Sequence, residues 1–478
     1  MRRLTILLIF PFSALLSSCG SLVGPQTQNS PPRSVALDPM MAGKSFAEVT
    51  MRATILSAIR HPVTSARQGL AVFWHRPREI VVGNLPMQLF PQSTIPESPG
   101  SPEFERLLDE KDFPKEGLAS LEWFVDGKEF FPELDRQIAS AQKRINAQFY
   151  IFDNDDIAVA YADKLRALSK EIPVKIVYDD FGTATAHLSS PKTPAPPGFT
   201  PPNDIKKYLM EGSNVKVRRT LNPFLVADHT KLVVIDDRTA FLGGMNMGRE
   251  YYSEWHDMMV RVEGPIVGRL SRVFERVWRM NGHFGDLALL TKLPKTIKPE
   301  AKGGEIPIRI LRTQPGLGKK EIRDATLLAI SGAKRRIFVE NPYIANDEVI
   351  LALRSAALRG VDVRVILPLE GDSAIMDAGN LVTARILIEA GAKLYRYPKM
   401  AHLKAMVCDD WAIVGSANLD ILSMRINREL NISFSDKAEV EKLISRVFTP
   451  DFARSRRIPL SETNSNLATM AEIVADQL

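Results

Sequence analysis

The sequence predicts an α/β protein made of two similar lobes by internal duplication, with its site at the interface between the lobes. Two observations carry this. A helix-like stretch, a strand-like run, a further helical pattern and a buried-looking strand occur in that order twice. A set of polar residues, His, Lys, Asn and an acid, also occurs twice at closely matched spacing. Strand, helix, strand in this order points to crossover units with parallel strands. The period is far longer than that of a solenoid repeat.

Taken in order, residues 138–145 close the first helical stretch and lead into the apolar run 147–152. Residues 174–178 are the strand that follows the next helix. In the second half, residues 330–337 lead into the run 337–343, and residues 361–368 form the matching later strand. The first half carries a proline-rich insertion, residues 189–202, expected as a surface loop near the site. Residues 285–307, rich in Lys, Pro and Gly, read as the connection between halves, and residues 91–102 as a loop or linker. The chain therefore divides into a leader (1–19), a tether and N-terminal segment without assigned role (20–117), two lobes (118–300 and 301–457) and a tail (458–478).

With 478 residues, 45% of them apolar and 25% charged, the chain can bury substantial cores without disulfide or metal staples. The formal charge of +6 is a mild excess, compatible with an acidic substrate or an anionic membrane surface. No run of basic residues resembles a nucleic-acid arm, so no nucleic-acid partner is expected. Cys408 sits in an apolar run and is expected as a buried free thiol.

The leader has the layout of an export signal: Arg2 and Arg3, an apolar stretch from Leu4 to Leu16, then Ser17-Ser18-Cys19-Gly20. The apolar stretch is short for a bilayer span. Residues 16–20 resemble a bacterial lipobox, which implies acylation of Cys19 and a lipid anchor on the membrane. Gly20 after the cysteine, by resemblance to Gram-negative lipoproteins, implies the outer membrane, facing the periplasm.

The chemistry sits in two His-x-Lys-x4-Asp motifs. One is His229, Lys231 and Asp236, followed by Gly243-Gly244-Met245-Asn246; the other is His402, Lys404 and Asp409, followed by Gly415-Ser416-Ala417-Asn418. His and Lys two apart on a strand share a face. An apolar run, an Asp-Asp turn and a second apolar run then predict a β-hairpin. Asp257 follows Asn246, and Glu429 follows Asn418, at the same spacing.

These residue types suit phosphodiester chemistry. A neutral imidazole is a nucleophile, and an imidazolium can protonate a leaving alkoxide. Asp257 and Glu429 are candidates for bonding the far ring nitrogens, fixing tautomer and steadying charge. Lys231, Lys404, Asn246 and Asn418 are candidates for holding non-bridging phosphate oxygens. Asp236 and Asp409 complete the motifs and count as candidate catalytic residues, although an Asp opening such a turn is favoured as a structural residue. The set needs no metal or other cofactor. One copy supplies half of it, so the halves must face each other.

His61, His75, His187, His256 and His283 show no metal-ligand spacing. His256 reads as structural, while His187 lies close enough to the insertion to reach the site. Gly316-Leu317-Gly318 lacks the third glycine and preceding strand of a dinucleotide loop, and no G-x-S-x-G elbow occurs.

These residues resemble the phospholipase D superfamily from about residue 118 to about residue 455. Residues 243–251 with Trp255-His256-Asp257, and residues 415–420 with Asn427-Arg428-Glu429-Leu430-Asn431, most resemble its bacterial cardiolipin synthase branch. The resemblance implies two lobes, each a mostly parallel sheet flanked by helices, and a phospholipid substrate. It also implies a phosphatidyl-histidine intermediate resolved by an alcohol or by water, with His229 as nucleophile and His402 as general acid/base. Two departures stand out. Gly244 occupies a position where many members have serine, and the second copy is one residue shorter between Asp409 and Gly415. The expected functions are phosphatidyl transfer as in cardiolipin synthesis, lipid hydrolysis, a metal-independent nuclease, or an inactive envelope protein.

Overall fold

Seven strands of the first lobe are β1 (Gly117–Val125), β2 (Ile145–Phe149), β3 (Val174–Asp179), β4 (Lys216–Thr220), β5 (Leu232–Ile235), β6 (Thr239–Gly243) and β7 (Met258–Glu263). The second lobe supplies β8 (Ile306–Gln314), β9 (Arg336–Glu340), β10 (Asp362–Pro368), β11 (Lys393–Tyr397), β12 (Ala405–Cys408), β13 (Trp411–Gly415) and β14 (Glu429–Phe434). The protein is seen as a computed structural model that describes residues 39–83, 94–187, 191–221, 226–290 and 303–463. The leader, Cys19, the tether before residue 39 and the tail from residue 464 lie outside the described residues, as do parts of the linker, the insertion and the inter-lobe connection.

All these strands join one 16-stranded sheet in the order β11-β10-β9-β12-β13-β14-β8-β1-β7-β6-β5-β2-β3-β4, with short strands completing it. Outward from the β8–β1 junction, the two halves repeat the same order of elements. The duplication is therefore expressed as a two-fold relation about that junction. β2, β3 and β4 pair in parallel, as do β9, β10 and β11, and these are the crossover units. The motif hairpins and the junction pair antiparallel, so each lobe's sheet is mixed.

Alternation along the strands feeds separate cores. Leu232 and Val234 of β5, with Ala405 and Val407 of β12, face a central core shared by both lobes and covered by Leu270, Phe274, Leu443 and Phe448. Val233 and Ile235 face the outer core of the first lobe, and Met406 and Cys408 that of the second. Strands buried on both faces are what helices on both faces of a sheet require. The hairpin turns differ by the missing residue: Ile235 pairs with Thr239, but Cys408 pairs with Trp411. The deletion is absorbed there, because Leu232 opposes Leu242 just as Ala405 opposes Val414.

The N-terminal segment has two parts. Helices α1 (Pro39–Arg60) and α2 (Pro62–Gly83) form a pair, whereas α3 (Pro102–Glu110) belongs to the second lobe. Phe104 and Leu108 join that lobe's core, and buried Arg309 donates to Glu105 and Asp109. Residues 94–101 are not a free linker. Ser98 Oγ donates to Asp409, and the Asp410 amide donates to Pro99 O.

Candidate active site

His229 and His402 lie just ahead of β5 and β12, near the carboxyl ends of the parallel strands, where open α/β sheets place their ligands. Each is fixed by the opposite lobe. The His229 amide donates to Arg428 O (2.9 Å), and its Nδ1 lies 3.1 Å from both oxygens of Glu429 and from Ser416 O. The His402 amide donates to His256 O (2.7 Å), and its Nδ1 donates to Asp257 Oδ2 (2.6 Å). Each ring is thus oriented by a carboxylate from the other copy. Nδ1 is occupied in both, which leaves Nε2 for chemistry. Both carboxylates are buried.

Lys231 and Lys404 are buried, each donating to the carbonyl of the histidine two residues before it. The asparagines are not equivalent. Asn246 accepts from the Ile151 amide and donates to Tyr251 Oη, leaving one amide hydrogen for a ligand. Asn418 keeps a buried side-chain oxygen without a hydrogen-bond partner.

Burial, with the charges of Lys231 and Lys404, drives the His229 imidazole well below its usual range. Burial likewise lowers His402, with Lys404, Lys231 and His229 adding to the effect. Burial raises Asp257 to about 7 against the pull of Lys404, and Glu429 to about 7 against that of Lys231. Burial lowers Lys231 well below the usual lysine range and Lys404 to about 8. Burial therefore favours neutral imidazoles at His229 and His402, the form in which a histidine is a nucleophile.

Asp236 and Asp409 are elsewhere, which corrects their place among candidate catalytic residues. They occupy the far end of each hairpin, about 17 Å from the lysines by strand rise. Asp236 accepts from the amides of Gln142, Lys143 and Arg144, and Asp409 from those of Lys334, Arg335 and Arg336. Both adopt positive φ (56° and 51°), which Asp tolerates better than most residues. They tether the loops that enter β2 and β9.

Gly244 and Ser416 are equivalent positions. A Cβ on Gly244 would lie 2.1 Å from Asp257 Oδ1, so glycine admits the shorter acid. Ser416 Oγ instead donates to the longer Glu429.

Several contributors had no assigned role in the sequence. The Tyr150 ring packs against His229 (4.9 Å between centroids), and Trp255 and Tyr251 against His402 (4.9 and 5.6 Å). The residue before each orienting acid is basic and reaches across the lobes. Arg428 lies 3.5 Å from Asp228, and His256 bonds Asp126 (2.6 Å) and Asp451 (3.0 Å). Aligning the two copies shows that basic pair, but its partners lie far away in sequence. His256, Glu340 and Asp451 bring potential ligand atoms within 4.8 Å, a cluster that sequence spacing hid. Both ring nitrogens of His256 already make hydrogen bonds there, so the cluster reads as an ionic clasp. His187 is buried beside Asp153 (3.8 Å). The insertion docks through the Lys192 and Thr193 amides on Glu254, next to Trp255.

Comparison with known proteins agrees with this geometry. Residues 134–278 and 327–451 match the family described as "Cardiolipin synthase, PLD-like domain". The chain is 31% identical to the major cardiolipin synthase of Bacillus subtilis over 72% of this chain and 71% of that one. It is 30% identical to cardiolipin synthase A of Pseudomonas putida over 70% and 68% respectively. Its fold resembles the crystal structure of phosphatidylserine synthase from Haemophilus influenzae (TM-score 0.57, 14% identity, 78% of this chain and 96% of that one). The chain belongs to the phospholipase D superfamily, as a phospholipase D-type enzyme of the cardiolipin synthase, PLD-like domain family.

Proposed function

We propose that this chain is a membrane-tethered phosphatidyltransferase that makes cardiolipin or a related lipid. Nε2 of His229 attacks the phosphorus of a phospholipid, and His402, which takes up a proton on Nε2 as the anionic phosphate offsets the charges of Lys231 and Lys404, gives that proton to the departing head-group alcohol. The result is a phosphatidyl group bonded to His229. A hydroxyl of an acceptor lipid, deprotonated by His402, then takes the phosphatidyl group and frees His229. Lys231 and Lys404 balance the charge on the non-bridging oxygens in both steps. Glu429 and Asp257 steady the two imidazolium states as they form.

The observation that carries this reading is the crossed bonding of His229 to Glu429 and of His402 to Asp257, which leaves two Nε2 atoms free beside two buried lysines. The named relatives are cardiolipin synthases, which supports a lipid acceptor over water. The lipobox-like residues 16–20 support a lipid anchor in the cell envelope, facing the periplasm from the outer membrane.

Labelled phosphatidylglycerol incubated with purified protein tests the reading. Cardiolipin and glycerol are expected, and label on His229 after rapid quenching and peptide mass spectrometry. Phosphatidic acid as the sole product would replace transfer by hydrolysis. Label confined to His402 would reverse the two roles, and no lipid product at all would end the proposal.

A further inference from the structure

Helices α1 and α2 are inverted in polarity. Their protein-facing side carries Ser57, His61, Thr64 and Gln68, buried beside only the smaller apolar residues Val49, Ala53 and Val72. Their outward side carries Ile59 (71% exposed), Leu70 (71%), Phe73 (74%) and Trp74 (71%). A helix on a water-soluble surface shows the opposite arrangement. Polar contacts hold the pair in this orientation. The Thr64 amide donates to Asp286 (2.8 Å), His61 lies beside the same carboxylate, and Arg52 donates to Asp180 (2.9 Å). Around Asp286, exposed Phe284 and Leu290 extend the apolar face.

We infer that α1 and α2 lie flat on an anionic phospholipid bilayer, with Ile59, Leu70, Phe73 and Trp74 seated at the boundary between head groups and acyl chains. This rests on the reading of the substrate as a phospholipid. Three observations favour a bilayer as the occupant. Residues 39–83 carry six Lys or Arg against two Glu, the charge that anionic head groups attract. A second copy would oppose like charges across a symmetric contact. No helix of the described residues is long and apolar enough to cross a membrane, so the pair lies on the surface. The face also adjoins the site: Val72 of α2 clusters with Val226, three residues before His229, with Ile426, three residues before Glu429, and with Ile421. A lipid head group entering the inter-lobe crevice would leave its acyl chains on this platform.

The test uses the full chain with phosphatidylglycerol–phosphatidylcholine vesicles whose acyl chains are brominated. Trp74 fluorescence is isolated by subtracting a Trp74→Phe protein, because the chain has five tryptophans. Quenching of Trp74 in vesicle-bound protein is expected. An Ile59→Ser/Leu70→Ser/Phe73→Ser protein should turn over vesicle lipid about tenfold more slowly. It should turn over monomeric short-chain phosphatidylglycerol within about twofold of wild type. Unquenched Trp74 in bound protein overturns the inference, as does equal loss on both substrates or a dimer that the triple substitution abolishes. Wild-type protein that shows the quenching but converts neither lipid would sink the functional reading and leave the docking surface standing.

Discussion

Nδ1 of His229, in the first lobe, lies 3.1 Å from both carboxylate oxygens of Glu429, in the second. His402 and Asp257 repeat the relation in reverse. Neither copy of the motif orients its own histidine, so the catalytic unit exists only when the lobes are docked. Glu429→Gln and Asp257→Asn should each lower kcat by about 10²–10⁴ with little change in thermal midpoint. Steady-state kinetics on phosphatidylglycerol checks this. A loss below about threefold in either variant would remove that carboxylate from the mechanism.

Activity should follow a narrow bell in pH. Asp257 and Glu429, raised to about 7, must ionise to hold the imidazoles, so the rate rises with pH through about 7. Lys404, lowered to about 8, must stay protonated to meet phosphate, so the rate falls through about 8. The limbs belong to the coupled site as a whole. Lys404→Arg should lower kcat yet move the alkaline limb upward, because guanidinium keeps its proton. An unmoved alkaline limb would assign it to another group.

Asp409 should matter for stability and little for chemistry. Its carboxylate accepts from the amides of Lys334, Arg335 and Arg336 and from Ser98 Oγ. Asp409→Ala leaves those donors unpaired and should cost about 2–4 kcal/mol in denaturant unfolding. Near-wild-type kcat at low temperature is expected. A large loss of kcat in a fully folded variant would restore a catalytic role.

Gly244→Ala should do the reverse. Its Cβ would meet Asp257 Oδ1 at 2.1 Å, so the acid must leave its place on His402. A fall in kcat of about 10² or more is expected, with the acid limb of the pH profile displaced. An unchanged profile would show that the carboxylate tolerates the methyl group.

His256 couples stability to pH. Burial alone would lower its pKa, but bonds to Asp126 and Asp451 raise it to about 10. A raised folded-state value means that the stabilisation is full below the unfolded value of about 6.5 and is lost as pH climbs through about 10. His256→Gln should lower the thermal midpoint at pH 6 and flatten its decline between about pH 7 and 10 relative to wild type. Parallel curves for the two proteins would refute this.

How much was legible follows from what kind of information each feature carries. Strand and hairpin positions are local: continuous apolar runs at β5 and β12 set them, and the Asp-Asp turns close them. The duplication was legible because both copies kept order and spacing. Asp236 and Asp409 were ambiguous because a motif shows which residues recur, not which end of a strand they occupy. His256 reads as structural from the sequence, but its clasp with Asp126 and Asp451 and the walls that Tyr150 and Trp255 form against the two histidines were not legible, since the partners are distant in the chain.

By itself, then, the sequence determined the repeated half-set of His, Lys, Asn and acid and the α/β frame that carries it. Local hydrophobic period and turn chemistry suffice for that. Only the tertiary structure decided that Glu429 serves His229 and Asp257 serves His402. That choice depends on β1 and β8 pairing at the centre of one sheet, which brings the two lobes together and lets each acid reach across. It also decided which face of α1 and α2 turns outward. Composition says the helices are mixed, but only the contacts of Thr64 and Arg52 with Asp286 and Asp180 show that the polar side is the inner one.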